Sequence, residues 1–244
     1  MTRISVELVP RDIEVLKTIK EKLSDVDFIN IPDLLSCDTR SWDGANIAKA
    51  YFDDVVPHLR AMDFDFTKEL PIKDKLREYN IKEVLVVEGD PPQSMLYQVY
   101  PTISTDIIKK FSEEMPEITV YAGIDQYRSS MKEEEYRIRR KQLAGAKGFF
   151  TQPFFDMRYL EMYADLLDGL DIYWGVSPVL SERSVSYWRN KNNVIFPKDF
   201  EPTLEWNIEF ASKVIDFARK HNHNVYLMPI KAKIMPYLEG VFAK

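Results

Sequence analysis

The stretch "GFFTQPFFD", residues 148–156, is one of eight short β-branched or aromatic runs in this chain of 244 residues. Each run precedes a charged amphipathic stretch, and this alternation is typical of parallel strands joined by crossover helices. Eight such units favour a (β/α)8 TIM barrel of the α/β class over an open doubly wound sheet. The number of strands alone does not exclude the open sheet. The runs span residues 4–9, 27–32, 55–62, 83–89, 118–124, 148–154, 171–178 and 224–230.

Helical signals lie between the runs. The segment "STDIIKKFSEEM" (104–115) has Ser104 or Thr105 as a candidate cap, and "EEEYRIRRKQLAGA" (133–146) is acidic at its start and basic near its end. Residues 203–219 have one apolar face. Because no linker, repeat or low-complexity segment divides the chain, we expect one domain over residues 1–244.

The composition favours a small-molecule partner. A net charge of −6, from 33 Lys and Arg against 39 Asp and Glu, leaves no overall basic field for nucleic acid or anionic lipid. One cysteine, Cys37, and three histidines cannot supply a disulfide or the usual zinc set, so we expect no metal and a reducing, cytoplasmic compartment. We also expect no targeting segment and no membrane span, because no apolar run approaches about 18 residues.

Polar residues at the carboxyl ends of the predicted strands are the candidate site residues, because in a barrel these ends face the active site. Each is polar where a buried strand should be apolar. They are Glu7, His58, Glu88, Asp90, Gln152, Ser177 and Lys231.

Glu7 lies between two apolar residues of the first strand. An unpaired buried carboxylate is costly, so it either pairs with a cation or takes up a proton with a raised pKa. The first interpretation is an ion pair in the barrel wall with Arg3, Arg60 or Lys231. The second makes Glu7 a general acid.

Gln152 can offer one acceptor and two donors to a planar heterocycle, and neighbouring aromatic residues, Phe154 among them, would supply faces for stacking. The alternative is a glutamine hydrogen-bonded to a neighbouring strand. For Asp90 the alternative is an Asx turn before two prolines, and for His58 a hydrogen-bonded barrel residue. Neither a G-x-G-x-x-G nor a P-loop motif is present, so barrel loops would have to hold any nucleotide.

Three motifs together resemble the methylenetetrahydrofolate reductase family. They are "VELVPRD" (6–12), "VEGDPP" (87–92) and "TQPFFD" (151–156). Supporting matches are "PHLRAMD" (57–63), "LAGAKGFF" (143–150) and "GVSPVLSERSVSYWRNKNNV" (175–194). The similarity covers most of the chain in order.

The resemblance implies a (β/α)8 barrel of one-carbon metabolism and methionine biosynthesis. Such a reductase converts 5,10-methylenetetrahydrofolate to 5-methyltetrahydrofolate with NAD(P)H, usually through FAD. By the same resemblance Glu7 matches the general acid, and Asp90 the aspartate that contacts the pterin and tunes the reaction. Gln152 would orient the folate, Trp188 would stack on it, and Lys231 would meet its glutamate tail.

The flavin side of the resemblance is incomplete. His58, Gly89, Tyr100, Glu134 and Lys141 match the family's cofactor site. Glu88, however, replaces an arginine, and a carboxylate aimed at a pyrophosphate is repulsive. Three further departures are Pro32, Gly123 and Tyr127.

The sequence therefore predicts a short, divergent reductase in which NADH or NADPH gives hydride directly to the folate, with FAD uncertain. One alternative is a non-redox folate-binding subunit that serves a methyl-transfer partner. Another is an unrelated lyase or aldolase with Lys231 as a Schiff-base nucleophile. The partners left open are a second copy of the chain and a methyltransferase.

Overall fold

Eight parallel strands close into a barrel in sequence order, β1 pairing with β8, so the predicted (β/α)8 barrel is confirmed. The computed structural model describes residues 1–9, 13–92, 94, 97–230 and 232–243. The strands are β1 Ile4–Glu7, β2 Phe28–Ile31, β3 Val55–Arg60, β4 Glu83–Val87, β5 Thr119–Ile124, β6 Gly148–Pro153, β7 Ile172–Val176 and β8 Asn224–Leu227. Each lies within one of the eight predicted runs.

Helices follow the strands and cover the barrel. Those of the described ranges are α1 Ile13–Lys22, α2 Ser41–Ala48, α3 Lys73–Glu78, α4 Ser104–Glu114, α5 Met131–Ala144, α6 Met157–Leu166, α7 Glu182–Asn192, α8 Leu204–His221 and α9 Ile234–Phe242, with a 3₁₀ turn at Ala61–Asp63. Both α7 and α8 lie between β7 and β8. None of these helices has the length and apolar character needed to cross a membrane.

The start of α4 differs from the expected cap. Ser104 is the first residue of the helix, and neither it nor Thr105 is the cap. Instead the Ser104 amide and hydroxyl donate hydrogen bonds to Glu88, at 3.1 and 2.6 Å. A carboxylate at a helix N-terminus accepts unpaired amide hydrogens and is favoured by the helix dipole. Glu88 therefore binds the helix start, which corrects its predicted orientation toward a bound pyrophosphate.

Large side chains fill the barrel interior and form a cluster separate from the layer between barrel and helices. Phe150 and Tyr173 stack in this interior with ring centroids 4.1 Å apart. Such packing makes the middle of the barrel a solid core. The members are Phe28, Val56, Leu85, Tyr121, Phe150, Tyr173, Tyr226 and Met228.

Arg3 occupies the amino-terminal end of the barrel. Its guanidinium donates to Glu83 at 3.1 Å and to the Tyr173 hydroxyl at 3.1 Å, and it lies 4.4 Å from the centre of the Phe28 ring. Cation–π contacts and charged hydrogen bonds both stabilise a partly buried guanidinium. With this end of the barrel packed, the open space lies at the carboxyl ends of the strands.

Candidate active site

A cavity of about 820 Å³ opens at the carboxyl ends of the strands. Every strand, or the loop after it, contributes to its lining. This volume is within the range of about 300–1,000 Å³ that small-molecule sites occupy. Six of the predicted site residues line it: Glu7, His58, Gly89, Asp90, Gln152 and Trp188.

Glu7 ends β1 and points its carboxylate into the cavity, with its side chain only 15% exposed. Its Oε2 accepts a hydrogen bond from the Tyr226 hydroxyl of β8, and the His58 Nδ1 of β3 lies 3.9 Å from the same oxygen. Burial raises the pKa of Glu7 to about 7, although the Tyr226 hydrogen bond opposes the rise. Glu7 therefore exchanges a proton near neutral pH.

The ion-pair interpretation of Glu7 is wrong for two of its three expected partners. Arg3 pairs with Glu83 at the opposite end of the barrel, and Arg60 donates to the Asp90 carbonyl at 2.7 Å. The third, Lys231, lies outside the described residues. Because these two arginines are held elsewhere, neither offsets the desolvation that raises the Glu7 pKa.

His58 is buried beside Glu7 as a neutral imidazole, because burial lowers the pKa of His58 to about 3. Its Nε2 lies 3.3 Å from the Asn30 Oδ1 of β2. An amide oxygen can only accept, so Nε2 carries the ring hydrogen and Nδ1 faces Glu7 as an acceptor. The Glu7 Oε2 thus accepts from Tyr226 and has the unprotonated His58 Nδ1 nearby, at a distance beyond a direct hydrogen bond.

The Glu88–Asp90 turn forms another side of the cavity. Gly89 has φ +88°, and a Cβ there would lie 3.1 Å from the Arg60 Cβ, so the turn requires glycine. Asp90 is exposed, and its carbonyl is held by Arg60. The turn therefore presents the Asp90 side chain at the opening.

A β-bulge in β6 places two consecutive residues on the cavity. Phe150 pairs with Tyr173 and Pro153 with Gly175, so two residues of β6 stand opposite one residue of β7. The extra residue breaks the usual inward and outward alternation. As a result, both Thr151 and Gln152 line the cavity, and Gln152 is exposed within it.

Helix α7 lies along the cavity mouth. Arg183, Ser184, Tyr187 and Trp188 line the cavity, a spacing of three and four residues that defines one helix face. The Trp188 ring is anchored at its edge by Phe155, with ring centroids 6.1 Å apart. Trp188 is only 7% exposed, so only a small part of it can reach a ligand in the cavity.

The other predicted substrate-binding residues are placed differently. Phe154 is fully buried on the helix side of the barrel wall, against Tyr159, Tyr163 and Trp174, and is not among the described residues lining the cavity. Its position is that of a packing residue. Lys231 falls outside the described residues.

The five residues that match the family's cofactor site do not form one surface, and Glu134 is one of the buried ones. His58 and Gly89 line the cavity, whereas Lys141 is buried with its Nζ donating to the Gly123 carbonyl at 2.6 Å. Tyr100 is half-buried, and its amide donates to the Met62 carbonyl at 2.8 Å. These residues do not fit a flavin as a set. Within the ranges described, no cluster of three or more His, Cys, Asp or Glu could hold a metal ion.

Sequence reasoning missed Tyr226, Asn30 and Arg183. Tyr226 could have been found from the alternation of side chains along a strand. Tyr226 lies in β8 and Met228 follows it two residues later, and both line the cavity. Asn30 is a polar residue within a buried strand, the same signal that identified Glu7. Arg183 lies on a helix, and no pattern in the sequence distinguishes it from an ordinary surface arginine.

Comparison with known proteins gives a weak relationship in sequence and a clear one in fold. No protein-family model matches the chain. The 5,10-methylenetetrahydrofolate reductase of Buchnera aphidicola subsp. Schizaphis graminum (strain Sg) is 22% identical over 147 residues. These residues are 58% of this chain and 50% of the reductase, so the chain spans about half the length of this curated relative.

Solved structures share the barrel. A Clostridium thermocellum protein that binds two copies of 5-methyl-5,6,7,8-tetrahydrofolic acid matches with a TM-score of 0.63 at 14% identity, over 98% of this chain and 94% of that one. Oxaloacetate acetylhydrolase in complex with oxalate matches with a TM-score of 0.64 at 10% identity, over 96% and 77%. At these identities the likeness shows the fold. The chain is thus a (β/α)8 barrel with weak sequence similarity to a methylenetetrahydrofolate reductase.

Proposed function

We propose that this chain binds a reduced folate in the cavity and reduces 5,10-methylenetetrahydrofolate to 5-methyltetrahydrofolate, with NAD(P)H as hydride donor and Glu7 as general acid. The observation that carries the proposal is the Glu7 carboxyl, which lines the cavity with a pKa of about 7. A general acid works best when its pKa is near the working pH. The similarity to the Buchnera reductase supports this choice of substrate.

The chemistry follows from the carbon that bridges two nitrogens in the substrate. Protonation of one of these nitrogens by Glu7 lets its bond to the bridging carbon break, which leaves an iminium at the other nitrogen. That carbon then accepts hydride and becomes a methyl group. The Glu7 carboxylate left behind is an anion near the iminium cation, and their attraction is strong where water is excluded.

In this proposal Gln152 and Trp188 orient the folate. The Gln152 amide is exposed in the cavity and can accept from and donate to the amide-like edge of a pterin. Trp188 on α7 lines the cavity and would contact the ligand with the small part of its side chain that stays uncovered. Asp90 at the opening would contact the pterin ring from the β4 side.

Direct hydride transfer from NAD(P)H is part of the proposal because the expected flavin residues point to different places. Lys141 is engaged with the Gly123 carbonyl, and neither Tyr100 nor Glu134 is among the described residues that line the cavity. The proposed reaction therefore has no flavin step.

An anaerobic assay tests the proposal. Purified protein is mixed with 5,10-methylenetetrahydrofolate and NADH or NADPH, with and without FAD or FMN, and 5-methyltetrahydrofolate is quantified by mass spectrometry. We expect turnover without added flavin in the wild type and none in Glu7→Gln. Turnover only with added flavin would refute direct transfer, and no turnover under any condition would refute the reductase.

A second candidate is a folate-binding protein without redox activity, which serves a methyl-transfer partner. The Clostridium thermocellum barrel favours it, because that protein binds 5-methyltetrahydrofolic acid and matches nearly the whole of this chain. Tight binding of 5-methyltetrahydrofolate together with no NAD(P)H oxidation would support this candidate over the first.

A further inference from the structure

Gln126 follows β5, is 1% exposed and takes no part in the proposed reaction. Its side-chain Nε2 donates to the Gln152 carbonyl at 2.7 Å and lies 3.4 Å from the Pro153 carbonyl. The Tyr127 hydroxyl donates to the same Pro153 carbonyl at 2.9 Å. Two neighbouring side chains of the β5 loop thus bind the backbone that carries the Gln152 amide.

The β-bulge explains why this backbone needs side-chain donors. The extra residue between Phe150 and Pro153 disrupts the pairing of β6 with β7, and the carbonyls of a bulge lose regular partners. On the β7 side, the Gly175 amide donates to the Thr151 Oγ1 at 2.8 Å instead of to a backbone carbonyl. The bulge is therefore held by side chains on both of its edges.

Gly175 leaves the space that the bulge occupies. A Cβ at Gly175 would lie 2.5 Å from the Thr151 carbonyl oxygen and 2.9 Å from that of Gln152, both backbone atoms. An alanine would force these two peptide groups to move. The position of the Gln152 backbone is thus bounded by Gly175 on one side and bound by Gln126 on the other.

Gln126 is itself fixed and is costly to bury. Its carbonyl accepts from the Tyr159 hydroxyl at 2.7 Å, while its side-chain Oε1 has no hydrogen-bond partner among the described residues. A buried amide with an unpaired oxygen contributes little to stability. Its satisfied contacts are those to the bulge, so holding the bulge is the role that the geometry supports.

We propose that Gln126 is a positioning residue for folate recognition: it fixes the Gln152 backbone so that the Gln152 amide meets the pterin edge. This inference rests on the proposed folate binding. It assigns recognition of the pterin to a bulge held from β5 and β7, because displacement of the Gln152 carbonyl moves the attached side chain with it. A loss of alignment by a fraction of an ångström weakens paired hydrogen bonds of this kind.

A double-mutant cycle with Gln152 tests the inference. The affinity for 5-methyltetrahydrofolate is measured by calorimetry for wild type, Gln126→Leu, Gln152→Ala and the double variant. We expect Gln126→Leu to weaken binding about tenfold, from the loss of a positioned hydrogen bond, and to have no further effect once Gln152 is alanine. A purely structural role would give the same loss in both backgrounds.

The matched control is Asn224→Ala, which removes another buried amide, at the amino-terminal end of β8. We expect it to lower stability and to leave folate affinity unchanged. Tyr127→Phe removes one donor to the bulge with little change in shape, and it serves if Gln126→Leu does not fold. We expect it to weaken binding about threefold, again only when Gln152 is present.

The outcomes separate this inference from the proposed function. Wild-type binding that Gln126→Leu and Tyr127→Phe leave intact would overturn the positioning role alone. Additive losses in the cycle would also overturn it. A wild type that binds no folate would refute the proposed function and the inference together.

Discussion

Replacement of Glu7 by glutamine should stabilise the protein at pH 8 and leave its stability almost unchanged at pH 4. Glu7 is buried, and its pKa rises from an ordinary 4.5 to about 7 in the folded chain. A carboxyl whose pKa is raised by folding costs nothing below its unfolded pKa, where it is protonated in both states. It destabilises the fold progressively as the pH rises from 4.5 to about 7, and fully above that.

The size of the effect follows from the same shift. A rise of about 2.5 pKa units, at about 1.4 kcal/mol each, costs about 3 kcal/mol at pH 8. Glutamine has no charge to desolvate, and its amide oxygen can still accept from the Tyr226 hydroxyl. We therefore expect the free energy of unfolding of Glu7→Gln to exceed that of wild type by about 3 kcal/mol at pH 8.

Urea denaturation followed by tryptophan fluorescence at pH 4, 6 and 8 measures this difference. His58 has the opposite pH dependence, because its pKa is lowered to about 3 and its contribution is lost as the pH falls below 6.5. That contribution is common to both proteins and cancels at pH 4, where Glu7 is protonated, and at pH 8, where His58 is neutral in both states. Subtracting the free energy of unfolding of wild type from that of Glu7→Gln therefore leaves the contribution of the Glu7 carboxyl.

Activity supplies the second half of the test. We expect Glu7→Gln to lower kcat by about 10²–10⁴, the usual contribution of a general acid, while the affinity for 5-methyltetrahydrofolate changes less than about twofold. A stability difference that is equal at pH 4 and pH 8 would refute the buried-acid reasoning. Retention of full turnover would refute the catalytic role.

Three further predictions concern single side chains. The Tyr226 hydrogen bond lowers the pKa of Glu7, so Tyr226→Phe should raise that pKa further. The alkaline limb of the pH profile of kcat/KM should then move to higher pH, and an unmoved limb would contradict this. Gln152→Ala should weaken 5-methyltetrahydrofolate binding about tenfold or more without lowering Tm, since the side chain is exposed, and calorimetry and thermal melts measure both. Arg3→Met should lower the free energy of unfolding by about 1–3 kcal/mol, because Glu83 loses its partner, while folate affinity stays constant; an affinity loss would show that the two ends of the barrel are coupled.

The strands could be predicted from the sequence because each one is a local apolar run. A buried strand needs β-branched and aromatic residues, and eight such runs alternate with helical patterns. Most helix caps are also local, as at Ser130 and Thr203, but the start of α4 depends on a tertiary contact. Ser104 has the residue type of a cap, but Glu88 of the preceding loop binds the start of α4 instead. A side chain distant in sequence thus replaced a local rule.

Part of the candidate site could also be predicted from local sequence. Glu7 and Gln152 stand out as polar residues in apolar strands, and the barrel rule places strand ends at one face. The prediction for Phe154 came from its neighbourhood in sequence, and its actual orientation depends on the bulge in β6. One inserted residue changes which side chains face the cavity, and only the pairing with β7 reveals it.

The sequence alone determined that this chain builds parallel strands and helices, and that Glu7 is a carboxyl in a buried position. Only the tertiary structure decided what surrounds that carboxyl. Tyr226 is 219 residues away along the chain, and it reaches Glu7 because β8 closes against β1. The pKa of Glu7 depends on desolvation and on these neighbours, and both arise only when the barrel closes.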